Sequence, residues 1–222
     1  MGENLTLTSE DGFKLDAYKA MPSGTPRGAI VVIQEIFGVN QHIKKVADGF
    51  AADGYVAIAP ALFDRVERGY DTGYGPQDIE RGRAARGKLS TDDALKDVRA
   101  AVKEAAKSGK VGVVGYCFGG TVAWWAGTRL DGVAAAVGYY GGGVAAEAEA
   151  KPKCPVMLHF GETDASIPKA DYEKVIKAQP NVPIHIYPAG HGFVCDERGS
   201  FHAESAKTAR VRTIDFFRKH VG

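Results

Sequence analysis

Short apolar segments alternate with amphipathic segments along most of this chain, and this alternation constrains the fold more than any other feature. The apolar segments are rich in valine, isoleucine and alanine, as strands buried on both faces of a parallel sheet are. They occupy residues 28–34, 55–61, 110–116, 133–140, 155–160 and 182–187. Helical spacing or helix start and stop residues mark the segments at 40–53, 90–107, 118–130, 168–178 and 201–220. The sequence therefore predicts an α/β fold with a mostly parallel sheet and helices on both faces.

Two regions fall outside this alternation. Residues 5–20 alternate in polarity around Asp11-Gly12, which predicts an N-terminal antiparallel hairpin. Residues 63–89 are polar, glycine-rich and without a clear period, which predicts a long loop of the functional or mobile kind. No repeat or linker divides the chain, so we expect one domain over residues 1–222.

Composition excludes several classes of protein. The chain has 222 residues, 45% hydrophobic and 25% charged, as an average globular protein has. Its 28 Lys and Arg against 27 Asp and Glu give a net charge of +1, which argues against a nucleic-acid partner. The longest uncharged run, 111–128, contains five glycines and is better interpreted as a strand, a turn and a helix than as a membrane span.

Three cysteines cannot form a disulfide framework, and their odd number leaves at least one thiol free. Cys154 precedes a predicted strand and is expected to be structural. No Cys or His spacing suggests zinc, and the first 20 residues lack the apolar region of a signal peptide. We therefore expect a cytoplasmic monomer that needs no metal or organic cofactor and contacts no membrane.

The most specific local motif is Gly115-Tyr116-Cys117-Phe118-Gly119-Gly120, which joins an apolar strand to an apolar helix. A nucleophile with glycine two residues away on each side is typical of a sharp strand-to-helix elbow, although serine is commoner there. The N-terminus of the following helix favours the thiolate form of Cys117. The alternative is a buried cysteine with only a packing role. The glycine spacing matches neither a dinucleotide loop nor a phosphate loop.

Two further segments supply the partners that a nucleophilic cysteine needs. Asp164 follows the strand at 155–160, and His191 follows the strand at 182–187. Sites in open α/β sheets collect beyond the carboxyl ends of strands, and the order nucleophile, acid, histidine accompanies such an elbow. We predict that Asp164 orients His191, whose other ring nitrogen faces Cys117.

Other carboxylates and histidines are weaker candidates for these roles. Glu162 lies nearer the strand end and is expected to point elsewhere, and Asp171 lies inside a predicted helix as a surface charge. The remaining histidines divide into two predicted strand residues with structural roles, His159 and His185, and three predicted solvated helix residues, His42, His202 and His220.

Nucleophilic attack on a carbonyl also needs two backbone donors for the oxygen that becomes negative. The residue after the nucleophile supplies one of them, the N–H of Phe118. The other is expected from the loop after the strand at 28–34, near Ile36.

Together these residues resemble the dienelactone hydrolase (carboxymethylenebutenolidase) family of the α/β-hydrolases. The similarity comprises Gln34-Glu35-Ile36-Phe37-Gly38, the cysteine elbow, Gly161 to Asp164 followed by Ile167-Pro168, and Gly190-His191-Gly192-Phe193, in the family's order. The resemblance implies the α/β-hydrolase fold, a Cys117–His191–Asp164 triad and an oxyanion hole at the amides of Ile36 and Phe118.

The resemblance also implies roles that spacing does not indicate. Glu35 would interact with the resting thiol until substrate binding turns the thiolate toward its target. The alternative is a strand-end carboxylate bonded to nearby backbone or arginine. Phe37, two residues further on, would contact the substrate.

Family members that act on dienelactone hold the substrate carboxylate with two arginines. One lies before the long helix, where Arg83 is our first choice and Arg81 and Arg86 are alternatives. The other lies four residues after the histidine, a position occupied here by Cys195, with Arg198 close to it. We expect Cys195 to line the pocket and bidentate recognition of a carboxylate to be weaker.

The sequence therefore predicts a carboxylic ester hydrolase whose partner is a small-molecule ester. The favoured reaction is the opening of a dienelactone-type lactone through an acyl-enzyme. The replacement at Cys195 leaves open a broader carboxylesterase or thioesterase with a modified acid-binding pocket. A catalytically silent ligand-binding relative is disfavoured because Cys117, Asp164 and His191 are all present.

Overall fold

An eight-stranded sheet runs through the computed structural model, which describes residues 2–222. The strands are β1 (Glu3–Thr8), β2 (Lys14–Ala20), β3 (Ala29–Ile33), β4 (Val56–Pro60), β5 (Val111–Tyr116), β6 (Val133–Tyr139), β7 (Val156–Gly161) and β8 (Ile184–Tyr187). The α-helices are α1 (Gln41–Ala52), α2 (Pro76–Lys88), α3 (Thr91–Ala105), α4 (Phe118–Arg129), α5 (Lys169–Ala178) and α6 (Ala203–His220).

The strand order is β1-β2-β4-β3-β5-β6-β7-β8. The pair β1 and β2 is antiparallel, β2 is antiparallel to β4, and every further pairing is parallel. The N-terminal hairpin and the mostly parallel sheet are thus as predicted.

The core lies along the central strands. Every residue of β3, β4 and β5 is buried, which explains why their sequences are apolar without alternation. Helices α3 and α4 contact one another, and α1 and α6 form a second pair through Phe50 and Phe217, whose ring centroids are 5.9 Å apart. The first turns of α1 and α3 are capped by the side chains of Asn40 and Ser90.

The predicted loop at 63–89 is wrong for most of its length. A short 3₁₀ turn covers Leu62–Arg65, and α2 covers Pro76–Lys88. Proline at the first helical position and the Asp78 carboxylate, which accepts a hydrogen bond from the Gly75 N–H at 3.0 Å, start this helix. Only Gly82 and Ala85 are buried in it, so it lacks the apolar stripe by which helices are recognised.

The parallel strands all end at the same edge of the sheet. Glu35 follows β3, Cys117 follows β5, Asp164 follows β7 and His191 follows β8. The fold therefore brings the residues singled out in the sequence to one edge.

Candidate active site

Cys117 lies at a sharp turn between β5 and α4, with φ 55° and ψ −116°. A positive φ is unfavourable for a residue other than glycine and costs on the order of 1–3 kcal/mol, so the surrounding structure must impose it. The neighbouring glycines allow the turn. A Cβ on Gly115 would lie 1.8 Å from the carbonyl oxygen of Gly119, and one on Gly119 would lie 2.5 Å from the carbonyl oxygen of Gln34. The motif is thus the predicted elbow.

A continuous hydrogen-bonded chain joins Cys117, His191 and Asp164. The His191 Nδ1–H donates to Asp164 Oδ2 at 2.7 Å, and His191 Nε2 lies 3.1 Å from Cys117 Sγ. The Asp164 side chain is fully buried, and its other oxygen accepts a hydrogen bond from the Ser166 N–H at 2.8 Å. Hydrogen bonds therefore fix the Asp164 carboxylate and the His191 ring in the arrangement that the sequence predicted: the carboxylate orients the ring, and the ring faces Cys117.

The surroundings of His191 favour its charged form. Burial alone would lower the pKa of this imidazole, but the hydrogen bonds to Asp164 and Cys117 outweigh burial and raise it from 6.5 to about 10. The ring also packs against Tyr140, with centroids 5.0 Å apart. Near neutral pH the ring can therefore hold a proton between a carboxylate and a sulfur.

A cavity of about 400 Å³ opens above this chain of residues. Cys117 and His191 line it together with Ile36 and Phe118, the two residues expected to donate backbone N–H groups. Phe118 is the first residue of α4, where the N–H groups have no partner within the helix. Further apolar walls come from side chains that include the predicted Phe37: they are Phe37, Ile79, Trp125 and Ile167.

Three arginines line the cavity, and they include the first choice of the sequence analysis, Arg83, and one of its alternatives, Arg86. Arg83 lies on α2 and lines the cavity as expected. Arg86, one turn further along α2, also lines it and stacks over the Phe118 ring at 4.6 Å. Arg81 does not line it: its exposed guanidinium pairs with Glu67 and lies over the Tyr70 ring. The prediction of Arg81 as a substrate-binding residue is therefore wrong, because positions two apart on a helix face different directions.

The third arginine, Arg198, pairs with Glu35. The Glu35 carboxylate is 1% exposed, and its Oε1 accepts a hydrogen bond from Arg198 Nη1 at 3.2 Å. The guanidinium lies 5.7 Å from the Phe37 ring centroid. In this structure Glu35 therefore pairs with an arginine, while the Cys117 thiol pairs with His191. The sequence indicated Arg198 only by its nearness to His191.

Cys195 does not line the cavity, contrary to expectation. It is fully buried, and burial raises the pKa of its thiol to about 11. Two successive turns, with hydrogen bonds from Cys195 N to Gly192 O and from Arg198 N to Cys195 O, turn its side chain inward while Arg198 faces the cavity. Cys154 contacts the Gly127 carbonyl at 3.7 Å outside the cavity.

The rival residues mostly lie where the sequence placed them. Glu162 is exposed, and His159 is fully buried with hydrogen bonds to Tyr187 and Thr213. Four other rivals are half-buried, namely His185, His202, His220 and Asp171. His42 is the exception, because its side chain is buried instead of solvated.

One group of side chains within residues 2–222 has the composition of a metal site. It consists of Glu35, His42 and Cys195, whose ligand atoms lie within 4.8 Å of one another. Over the same residues, no helix combines the length and apolar character needed to cross a membrane.

Comparison with known proteins identifies the family. The model of the dienelactone hydrolase family matches residues 15–221. A carboxymethylenebutenolidase of Pseudomonas putida is 33% identical over 228 residues, covering 96% of this chain and 95% of the relative. A protein of Synechocystis, provisionally given the same name, is 38% identical over 208 residues, with 85% and 84% covered.

Solved structures agree with the sequence comparison. A crystal structure from Klebsiella pneumoniae, provisionally named a dienelactone hydrolase, superimposes with a TM-score of 0.87 at 28% identity and covers 99% of both chains. The α/β-hydrolase fold that the resemblance implied is thereby confirmed. This chain belongs to the dienelactone hydrolase family and is a hydrolase of the carboxymethylenebutenolidase type.

Proposed function

We propose that the protein hydrolyses a small lactone of the dienelactone type, with Cys117 as nucleophile. The observation that carries the proposal is the chain of hydrogen bonds from Asp164 through His191 to Cys117, at 2.7 Å and 3.1 Å, beside a cavity that Cys117 and His191 line. A nucleophile within reach of a base, with a third group orienting the base, is the arrangement that covalent catalysis requires.

The first half of the reaction opens the ring. The Cys117 thiolate, paired with the His191 imidazolium, attacks the lactone carbonyl carbon. The N–H groups of Ile36 and Phe118 stabilise the oxyanion that forms. Collapse of this intermediate breaks the ring C–O bond and releases an enolate or alkoxide oxygen, which takes the proton from His191 and leaves the imidazole neutral.

The second half releases the product. His191, now neutral, removes a proton from water, and the resulting hydroxide attacks the thioester. The carboxylic acid leaves and the Cys117–His191 pair is restored. Asp164 holds the imidazole in one orientation in both halves and stabilises its charged form.

Two features of the cavity favour a substrate that carries a carboxylate. The guanidinium groups of Arg198 and Arg83 line the cavity, and an arginine can bind a carboxylate in a bidentate geometry. Glu35 occupies Arg198 at 3.2 Å, so a substrate carboxylate would compete with Glu35 for this arginine. A broader esterase with a modified acid pocket was suggested by Cys195, and Arg198 on the cavity wall weakens this alternative.

Substitutions at Cys117 and His191 test the proposed nucleophile and base. Cys117→Ala and His191→Ala should each lose at least about a thousandfold in kcat, because each removes a member of the triad. Cys154→Ala, which removes a thiol outside the cavity, should retain wild-type kinetics. Mass spectrometry of wild-type enzyme during turnover should show the acyl group on Cys117.

Substrate choice is tested separately with Arg198→Ala. This variant should raise KM for a carboxylate-bearing lactone and leave a neutral p-nitrophenyl ester nearly unaffected, while Arg81→Ala should change neither. Near-native turnover in Cys117→Ala would overturn the nucleophile, and an equal effect of Arg198→Ala on both substrates would overturn carboxylate recognition.

A further inference from the structure

A second polar cluster lies behind the Arg198 wall of the cavity. Glu35 comes from the loop after β3, His42 from the first turn of α1, and Cys195 from the loop after β8. Their exposed fractions are 1%, 4% and 0%, and one ligand atom from each lies within 4.8 Å of the other two. Two segments seven residues apart in sequence, and a third that follows the last strand, thus bring a carboxylate, an imidazole and a thiol together in the interior.

Two polar atoms of this cluster have no hydrogen-bond partner among residues 2–222. They are Glu35 Oε2 and His42 Nε2, both of which are buried. Arg198 satisfies only the other Glu35 oxygen. A buried polar atom without a partner is unfavourable, and a cation bound between these two atoms would satisfy both.

The orientation of His42 suits a metal ligand. Its Nδ1 lies 3.6 Å from Asp196 Oδ1, on the side of the ring opposite to the unpartnered Nε2. A histidine that binds a metal through one ring nitrogen commonly has a carboxylate near the other, and His42 has this arrangement.

We propose that Glu35, His42 and Cys195 bind a divalent transition-metal ion, with Zn²⁺ as the representative of the class. One oxygen, one nitrogen and one sulfur form a donor set that suits Zn²⁺, whereas Ca²⁺ and Mg²⁺ take oxygen ligands. Binding forms a metal–sulfur bond, and the Cys195 thiol proton leaves to solvent.

The geometry requires only a small adjustment. Metal–ligand bonds of about 2.0–2.3 Å place tetrahedral ligand atoms roughly 3.5 Å apart. The ligand atoms lie within 4.8 Å of one another, so movements of about an ångström would bring them to the distances of a tetrahedral site.

One member of the cluster borders a second cavity, which is separate from the catalytic one. His42 lines a second cavity of about 370 Å³, as do Val194 and Asp196 on either side of Cys195. The positively charged side chains that line this cavity are partly neutralised, because Lys45 pairs with Glu197 and Arg210 pairs with Asp53. An ion can thus approach the imidazole from the surface.

The experiment separates this site from the Cys117–His191 pair, which also offers sulfur and nitrogen. Zn²⁺ binding to the purified full-length protein is measured by titration calorimetry in a Cys117→Ala background, where the catalytic thiol is absent. Into this background are introduced Cys195→Ser, His42→Gln or, as the matched control, Cys154→Ala. Circular dichroism establishes that each variant is folded, and Co²⁺ serves as an optical probe of thiolate ligation.

We expect one Zn²⁺ per chain in the Cys117→Ala protein and in its Cys154→Ala control, with a sulfur-to-cobalt charge-transfer band for Co²⁺. Cys195→Ser should abolish this band, and both Cys195→Ser and His42→Gln should weaken Zn²⁺ binding by at least about tenfold. Equal binding in folded Cys195→Ser and His42→Gln would overturn the proposal. So would binding that disappears with Cys117→Ala, because it would place the ion at the catalytic pair. Neither result bears on hydrolysis by the wild-type enzyme, so this proposal and the proposed function fail independently.

Discussion

At the scale of single residues, the charge on His191 should be measurable as stability. The pKa of this histidine is raised from 6.5 to about 10 in the folded protein. A group with a higher pKa in the folded state contributes stability that is complete below its unfolded value and is lost as the pH rises through its folded value. We predict that wild type exceeds His191→Gln in free energy of unfolding below about pH 6.5 and that the difference shrinks toward pH 10. Urea titrations across this range test it, and a difference independent of pH would contradict it.

Asp164 allows a sharper test because a second carboxylate lies two residues away. Asp164→Asn keeps the size of a fully buried side chain but replaces the charge that accepts the His191 Nδ1–H. We predict a fall in kcat of about 10³–10⁴, as expected when the orienting acid of a triad is neutralised. Glu162→Gln removes an exposed charge from the same turn and should keep wild-type kcat. Steady-state kinetics of both variants show whether the fall in kcat depends on the position of the carboxylate that is neutralised. Equal kcat values in Asp164→Asn and Glu162→Gln would contradict the prediction.

Residue-level prediction from sequence succeeded where chain order carries the information. The strand ends predicted that Cys117, Asp164 and His191 would meet, and they do so because parallel strands end at one edge. It failed at Cys195 and Arg198, where the turns that start at Gly192 decide which side chain faces the cavity. Counting residues from His191 selects Cys195, and only the turn geometry places Arg198 on the cavity wall.

At the scale of elements, α2 is the structure that sequence patterns could not reveal. Its glycines and charges suggest a loop, because a helix that covers a cavity edge buries few side chains. The strands and the other helices were predictable since their packing against the sheet imposes a period on the sequence. The sequence signals for α2 are weaker, namely Pro76 at its start and the Asp78 carboxylate that caps it, and the helix was not predicted.

Two glycines of α2 test whether this helix positions the oxyanion loop. A Cβ on Gly82 would lie 2.5 Å from the Ile36 carbonyl oxygen, whereas one on Gly87 would meet no atom within 4 Å. We predict that Gly82→Ala displaces Ile36 and lowers kcat, by up to about 10²–10³ if its N–H is lost to the oxyanion. Gly87→Ala should leave kcat unchanged and increase the free energy of unfolding by up to about 1 kcal/mol. If kcat is the same in both variants, contact between α2 and the loop does not matter.

At the scale of the whole molecule, the sheet and its polarity followed from the sequence alone. Apolar runs predicted the strands, and the hairpin at Asp11-Gly12 predicted the antiparallel edge. Long-range ion pairs were not predictable, because charged residues tens of positions apart in a sequence give no periodic pattern. One of these pairs connects the hairpin, the 3₁₀ turn and α3. Arg65 donates to both oxygens of Asp97 at 2.8 Å and lies 3.0 Å from Asp11.

Removing this arginine should destabilise the fold without altering the site. The Asp97 side chain is fully buried, so Arg65→Ala leaves a buried carboxylate without its partner. We predict a loss of about 3–5 kcal/mol in free energy of unfolding.

Arg99→Ala is the matched control, because Arg99 also joins α3 to the hairpin region, through Glu10, but both side chains are about half exposed. Its loss should stay within about 1 kcal/mol. Denaturant titrations measure both losses, and kcat per folded molecule should equal wild type, since Arg65 lies outside the cavity wall. Equal losses in the two variants would show that burial of Asp97 does not set the strength of this connection.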